Sequence, residues 1–468
     1  MENYHVPVEG DVLALQLICG ADNISITGLE NQKYGSDHTE DFLFVPDIVA
    51  KPDTPEKVAA LLKYCSENKI AVTPRGAGTG LAGGALPVKK GLVISLEKFD
   101  KILDIDRENL QVIVEPGVIT EHLQNEVQKH GLFYPPDPAS RGSSCIGGNV
   151  STNAGGPRAV KYGVVKDYVL NLQVATPTGE LIWTGANTLK NSTGLAITQL
   201  LIGSEGTLGI ITKIVLRLIP YPTQRLILWA PFSDVAQACS SVSAIFRAGI
   251  TPSALEFMER SALLAARAYL GESPVDIPEN YDAFLLIEVD GNFLPALERD
   301  CEAIAEVLMR YECGEILFMD SEVQKEAIWK LRRCIGLAVK SGNTYKEEDT
   351  VVPRAKLPDL MNYIKQLQQR YAFRAICYGH AGDGNLHVNI LRDQMDDEKW
   401  NEELPRVIRL LFQYVKELGG TLSGEHGIGW VQRRYMDVFF TAYEFDLMKK
   451  IKTAFDPQNI LNPEKIFP

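Results

Sequence analysis

The densest chemistry in this 468-residue chain lies in two short stretches that hold three of its seven histidines. One reads Cys377-Tyr378-Gly379-His380-Ala381-Gly382-Asp383-Gly384-Asn385-Leu386-His387-Val388-Asn389, the other Ser423-Gly424-Glu425-His426-Gly427-Ile428-Gly429. Asp-Gly between alternating apolar residues is a hairpin signal. A turn centred between Asp383 and Gly384 sets His380 opposite His387, where Cβ atoms lie ~4.5–5.5 Å apart, a separation that suits two ligands of one metal ion. The second stretch offers a carboxylate as third ligand and a further histidine as base. Two histidines and a carboxylate with an open position make a catalytic divalent-metal site. Spacing alone leaves another reading open, a polar hairpin whose histidines bond to backbone. His5, His38, His122 and His130 lack such a context and read as surface or structural.

Three glycine-rich loops are the other concentration of chemistry. The first is Pro74-Arg75-Gly76-Ala77-Gly78-Thr79-Gly80-Leu81-Ala82-Gly83-Gly84. The second runs from Pro135-Pro136-Asp137-Pro138 through Ser143-Ser144-Cys145-Ile146-Gly147-Gly148-Asn149 to Thr152-Asn153-Ala154-Gly155-Gly156. The third is Gly203-Ser204-Glu205-Gly206-Thr207-Leu208-Gly209-Ile210. Gly78, Gly80 and Gly83 fit the dinucleotide fingerprint literally. That fingerprint has to run into a long helix, and Gly83, Gly84 and Pro87 break any helix here, which excludes a Rossmann site. Successive glycines still let backbone N–H groups converge on phosphate oxygens.

The elements that must carry these motifs can be read from periodicity. Thr54-Pro55 is a helix start, a polar cap with proline in the first turn. Val58, Leu61, Leu62 and Cys65 then form one apolar stripe, and a strand at 70–73 follows. Residues 221–418 alternate strands (226–230, 283–289, 315–319) with amphipathic helices (234–248, 295–311, 321–340), the pattern of an α+β layer with helices on one face of an antiparallel sheet. In the last of these helices Trp329 and Arg332 share a face, while Arg333 turns about 100° away. Pro220-Tyr221-Pro222 marks the first domain boundary. The expected division is 1–220, 221–418 and a segment 419–468 that returns to glycine-rich loops.

The length calls for more than one hydrophobic core. A net charge of −13 argues against nucleic acid and against an anionic membrane surface. The eight cysteines are scattered with no CxxC pair, so they form no cluster, zinc ribbon or disulfide framework and suit a reducing cytoplasm. No basic, apolar leader opens the chain, and no apolar run approaches the ~20 residues of a membrane span. A cytoplasmic protein without membrane insertion is the expectation.

In this order, the three glycine loops closely resemble the FAD-binding domain of the vanillyl-alcohol oxidase/p-cresol methylhydroxylase (PCMH) superfamily. Gly148 to Gly156, with Lys161-Tyr162-Gly163, is particularly similar to the branch of glycolate oxidase D-subunits, D-lactate dehydrogenases and D-2-hydroxyglutarate dehydrogenases. The resemblance implies a two-part PCMH-type FAD domain, an α+β cap with an antiparallel sheet, and a C-terminal helical segment returning to the flavin domain. It implies that Pro74, Arg75, Gly76, Ala77, Gly78, Thr79 and Gly80 wrap the pyrophosphate. Pro136, Asp137, Ser143, Gly147, Gly148, Asn149, Thr152, Asn153, Ala154, Gly155 and Gly156, with Tyr162 and Gly163, would hold the isoalloxazine. Glu205, Gly206, Gly209 and Ile210 would serve the adenosine end. No histidine stands in the first loop, so the FAD is expected to be non-covalent.

The same resemblance makes His380, His387 and Glu425 the metal ligands, with zinc first and manganese or iron as alternatives. It makes His426 the base and Arg332 the anchor of a substrate carboxylate. Asn389, which closes the first motif, is counted with the catalytic residues. The implied reaction is oxidation of a D-2-hydroxy acid to the 2-oxo acid, the C2 hydride passing to flavin N5. No acceptor site is visible, so electrons pass to a quinone, an electron-transfer flavoprotein or an iron–sulfur partner, and a homodimer is allowed for. Relatives acting on D-2-hydroxyglutarate carry a lysine in the strand before the Pro353 position. An ungapped count puts Glu347 there and turns Lys346 to the opposite face, which favours D-lactate or glycolate. D-2-hydroxyglutarate oxidation and a non-catalytic flavin-binding subunit are the alternatives.

Overall fold

A computed structural model describes residues 4–26, 28–39 and 42–467. The chain forms two compact units, one of Met1–Gly155, Val164–Tyr221 and Glu425–Pro468, the other of Gly156–Gly163 and Pro222–Gly424. The break at Tyr221 lies inside Pro220-Tyr221-Pro222, and the chain re-enters the first unit at Glu425.

In the first unit Thr54 caps the helix Pro55–Glu67 by accepting from the Lys57 amide at 3.3 Å. Val58, Leu61, Leu62 and Cys65 are all fully buried along its stripe. The helix leads to the strand Val72–Arg75, an edge of a four-stranded sheet ordered Ile24–Ile26, Ile48–Ala50, Leu92–Ser95, Val72–Arg75. No helix separates this strand from Leu92–Ser95, as the rejected Rossmann reading requires. A second, antiparallel sheet runs Ile102–Asp106, Gln111–Val114, Ile210–Arg217, Val169–Ala175, Leu181–Trp183. The strand leaving the third glycine loop is therefore its centre.

The C-terminal tail closes the first sheet. Val72 bridges Leu461 in parallel, its N–H donating to Ile460 O at 2.8 Å while Asn462 N–H donates to Val72 O at 2.7 Å. The preceding helix Ala442–Phe455 is fixed by buried Lys452, whose Nζ donates to Thr207 O at 2.7 Å, Leu461 O at 2.8 Å and Asp456 Oδ2 at 2.5 Å.

The second unit is built on a seven-stranded antiparallel sheet ordered Leu317–Met319, Gln224–Phe232, Ala283–Gly291, Ala254–Glu259, Arg374–His380, Asn385–Leu391, Tyr345–Val351. Helices Arg260–Leu270 and Glu322–Lys340 bury one face, packing on Trp229, Met258, Leu286 and Tyr378. Helices Val235–Arg247 and Leu294–Met309 touch the same strands but give nothing to that cluster, so they cover the other face. Helices therefore lie on both faces, not one. The reason is visible in Ala283-Phe284-Leu285-Leu286-Ile287, a continuous apolar run with both sides buried.

All eight cysteines are free thiols. Among the described residues no helix is long and apolar enough to cross a membrane. Lys452→Met leaves Asp456 buried without its cation, and breaking such a pair costs about 3–5 kcal/mol. Urea unfolding of the first unit should show that loss, and a midpoint matching wild type would show that the lysine does not fix the tail.

Candidate active site

The motif hairpin pairs Tyr378 with His387 and His380 with Asn385. Its turn is the four residues Ala381–Gly384, centred one residue earlier than the Asp-Gly signal suggests. His380 and His387 are consequently diagonal neighbours, not directly opposite. A pairing shift of two residues preserves the face, and the two rings lie 5.3 Å apart, centroid to centroid, and nearly perpendicular. Gly384 ends the turn at φ +84°, where a Cβ would lie 1.9 Å from Val352 O, so no other residue fits.

The next strand pairs Glu347 with Asn389 and Asp349 with His387, with no shift of register. One sheet face thus carries Glu347, Asp349, His387, Asn389, Tyr378 and His380, and helix Glu322–Lys340 meets it at Tyr378 and Glu347. Lys346 turns away, its ammonium 4.6 Å from the centroid of the Trp400 ring, while Glu347 pairs with Lys340 at 2.5 Å. That is the orientation the ungapped count gives.

Both histidines have a carboxylate behind Nδ1. Glu256 lies 2.9 Å from Nδ1 of His380, and Asp349 Oδ1 lies 3.5 Å from Nδ1 of His387. Asp349 is itself held by the Ser423 hydroxyl and Gly424 amide at 2.8 Å each and by the Asn385 amide at 2.7 Å. Glu256, fully buried, also forms an ion pair with Arg332. Burial works to raise its pKa, but Arg332 and His380 together hold the carboxyl below its ordinary value. One turn earlier on the helix, Trp329 Nε1 donates to buried Glu288 at 2.8 Å. Arg332 is buried against the Tyr378 ring, 5.2 Å from its centroid, and its Nε has no hydrogen-bond partner among the described residues. Such a donor suits an anionic ligand. Glu256, Glu288 and Asp349 were missed in the sequence. The available signal was an acid inside an apolar strand, as in Ala254-Leu255-Glu256-Phe257-Met258.

In the first unit the three glycine loops meet. A Cβ on Gly76 would lie 2.5 Å from Cys145 Sγ, and one on Gly206 2.6 Å from Pro74. Buried Arg75 donates through Nη2 to Lys33 O at 3.0 Å, while its Nη1 is buried with no partner among the described residues. An unsatisfied guanidinium nitrogen beside packed glycines fits the pyrophosphate of FAD. The 425–430 loop joins the same cluster. Trp430 N–H donates to Ala82 O at 2.9 Å, and a Cβ on Gly155 would lie 2.9 Å from Glu425 Oε2. His426 Nε2 is 3.9 Å from Glu425 Oε1.

Some of the residues expected to hold FAD also have partners within the protein. Glu205, expected at the adenosine end, accepts from the amides of Ile428 at 2.8 Å and Gly429 at 2.7 Å. Burial pushes its carboxyl up to about 7 against the pull of those amides. Gly156, Tyr162 and Gly163 belong to the second unit, where the Tyr162 hydroxyl donates to Asp290 at 2.8 Å and Lys161 pairs with the same carboxylate at 2.5 Å.

Comparison with known proteins agrees with this architecture. Residues 221–466 match the C-terminal domain of FAD-linked oxidases, and residues 46–185 match an FAD-binding domain. The glycolate oxidase subunit GlcD of Bacillus subtilis (strain 168) is 37% identical over 451 residues, 96% of this chain and 95% of that protein. A D-lactate dehydrogenase of Anaerostipes hadrus is 38% identical over 425 residues, 90% and 89% respectively. The crystal structure of p-cresol methylhydroxylase with substrate bound superposes with a TM-score of 0.80 at 18% identity, covering 98% of this chain and 97% of that one. The chain belongs to the FAD-linked oxidase family and is an FAD-dependent oxidoreductase with an α+β, PCMH-type fold.

Glu205→Leu would orphan the amides of Ile428 and Gly429, at about 1–3 kcal/mol for each buried group. Hydrogen exchange at those two amides should accelerate sharply in the folded protein. Unchanged protection would show that Glu205 does not anchor the loop behind His426.

Proposed function

We propose that the chain oxidises a small D-2-hydroxy acid, D-lactate or glycolate in preference to D-2-hydroxyglutarate, with non-covalent FAD and a divalent metal. The observation that carries this reading is the sheet face of the second unit. Two imidazoles there lie side by side, each backed by a carboxylate, on the face that also receives Arg332 with an unsatisfied buried nitrogen. His380 and His387 supply nitrogen donors and Glu425 an oxygen donor, a set that suits zinc, manganese or iron. The FAD is assigned to the 74–80, 136–156 and 205–210 loops with Tyr162 and Gly163, Arg75 on its pyrophosphate. When bound, the flavin is a two-electron acceptor and the metal a Lewis acid that favours loss of a hydroxyl proton.

The chain's own groups divide the remaining work. The Arg332 guanidinium binds the substrate carboxylate, and its planar donors fix the acid's orientation. His426 receives the hydroxyl proton, an imidazole nitrogen being a suitable general base. Asn389, fully buried on the His387 strand, helps define the floor on which the acid rests. Reduced cofactor then requires a separate acceptor, a quinone, an electron-transfer flavoprotein or an iron–sulfur partner.

Anaerobic addition of D-lactate should bleach the flavin. His380→Ala and His387→Ala should lose metal and turnover together while staying yellow. His426→Ala should lose ~10²–10⁴-fold in rate with metal content intact. Full turnover after chelation removes the metal from this reading, and a flavin that no 2-hydroxy acid bleaches favours a non-catalytic flavin-binding subunit.

Substrate choice follows the 345–351 strand. Glu347, its charge met by Lys340, occupies the site-face position where a lysine would hold a second carboxylate, and Lys346, seated on Trp400, does not reach that face. D-lactate should therefore exceed D-2-hydroxyglutarate in kcat/KM, with Lys346→Met leaving the ratio unchanged. A preference for D-2-hydroxyglutarate that Lys346→Met abolishes would reverse the assignment.

A further inference from the structure

We propose that Glu256 is a positioning residue for this chemistry, one carboxylate that fixes both the proton of His380 and the guanidinium of Arg332. The inference rests on the reading above, in which those two residues bind metal and substrate, and it adds the group that sets them relative to one another.

The geometry comes from three elements distant in sequence. Glu256 stands in the middle of the Ala254–Glu259 strand, His380 ends the neighbouring strand, and Arg332 is carried by the helix above. Glu256 Oε1 and Oε2 lie 2.9 and 3.0 Å from Nδ1 of His380, and Oε2 also meets Arg332. A protonated carboxyl would leave the guanidinium buried without its counter-charge, so Glu256 is the ionised, acceptor-only partner. Nδ1 of His380 must then be the N–H donor. That fixes the tautomer and leaves the Nε2 lone pair as the ligand atom, made more basic by the anion behind it.

A merely structural reason for this acid is hard to sustain. Its cross-strand neighbour is Leu286, and Met258 and Trp329 pack on the same face, beside Arg332 and buried Glu288. A well-packed apolar side chain there would avoid the desolvation of a charge. What the carboxylate adds is orientation. It ties the metal-ligand strand to the substrate-anchoring helix, so neither can turn without breaking an ion pair or a buried hydrogen bond. The arrangement also predicts a linked defect, since loosening Glu256 should weaken metal and substrate together.

The test uses full-length flavoprotein, wild type and Glu256→Gln, with Zn(II) alone as the metal probe in competition with a chromogenic chelator. The variant should bind Zn(II) ~10–100-fold more weakly, and at saturating Zn(II) its KM for D-lactate should still be raised because Arg332 has lost its brace. Glu256→Asp, which keeps the charge, should recover part of both. Nitrogen-15 NMR of His380 should show the Nδ1–H tautomer in wild type and its loss in Glu256→Gln. If Glu256→Gln folds poorly, the double variant Glu256→Gln/Arg332→Gln removes the orphaned cation and carries the Zn(II) and tautomer measurements. A folded variant with wild-type Zn(II) affinity, KM and tautomer overturns the proposal while the metal reading stands. Should wild type bind no Zn(II), the metal reading falls, and the tautomer alone decides: Nδ1–H dependent on Glu256 supports the proposal, Nε2–H overturns it.

Discussion

Antiparallel pairing through residues 374–391 leaves each side chain no choice of face, and the chemistry of the second unit depends on that constraint. His380, Tyr378, His387 and Asn389 reach one side only because the Ala381–Gly384 turn has an even residue count. A turn longer or shorter by one would carry half of the set into the helical layer behind the sheet. Gly384 enforces the count, since its left-handed backbone touches the Val352 carbonyl and admits no side chain. The third strand then inherits the register, which is why Asp349 falls behind His387 and Glu347 beside Asn389.

On this scaffold the fine positioning is electrostatic. Glu256, Glu288 and Asp349 are buried on a sheet face whose hydrophobic side chains include Trp229, Met258, Leu286 and Ile376. Each would be a net liability alone, and each is offset by partners from another element: Arg332 and His380, Trp329 and Ser253, and the Ser423 hydroxyl and Gly424 N–H with Asn385. Directional bonds of this kind specify one arrangement where apolar contacts would tolerate several. The helix Glu322–Lys340 is thus docked in rotation as well as in position, because Trp329 and Arg332 are one turn apart and both are bonded to the sheet.

Much of this was legible in the chain. Glycine spacing located three loops that do come together, the failure of a helix after Gly84 excluded the Rossmann alternative, and Thr54-Pro55 marked a helix start. The register of Lys346 and Glu347 followed from counting alone, as alternation in an unbulged strand is fixed. What escaped depended on partners far away in sequence. Asp383-Gly384 looks like a two-residue turn, but the structure uses four residues with Gly384 in the last place, a choice dictated by its contact with Val352. The acid in Ala254-Leu255-Glu256 has no local explanation, because its partners lie at positions 332 and 380. Glu205 was visible as part of a glycine loop, while its engagement with the amides of Ile428 and Gly429 was not.

The pairing of Val72 with Leu461 also sets an order of events at the ribosome. The strand Val72–Arg75 emerges early, yet the residues that complete its outer edge are made about 390 positions later. At ~5–20 residues per second that is a wait of roughly 20–80 s. During that interval the inserted unit, continuous from Pro222 to Gly424, can finish its own sheet, while the earlier one keeps an open edge. Such an edge is a template for pairing with other chains, so the nascent protein is most vulnerable to aggregation after most of it has already folded.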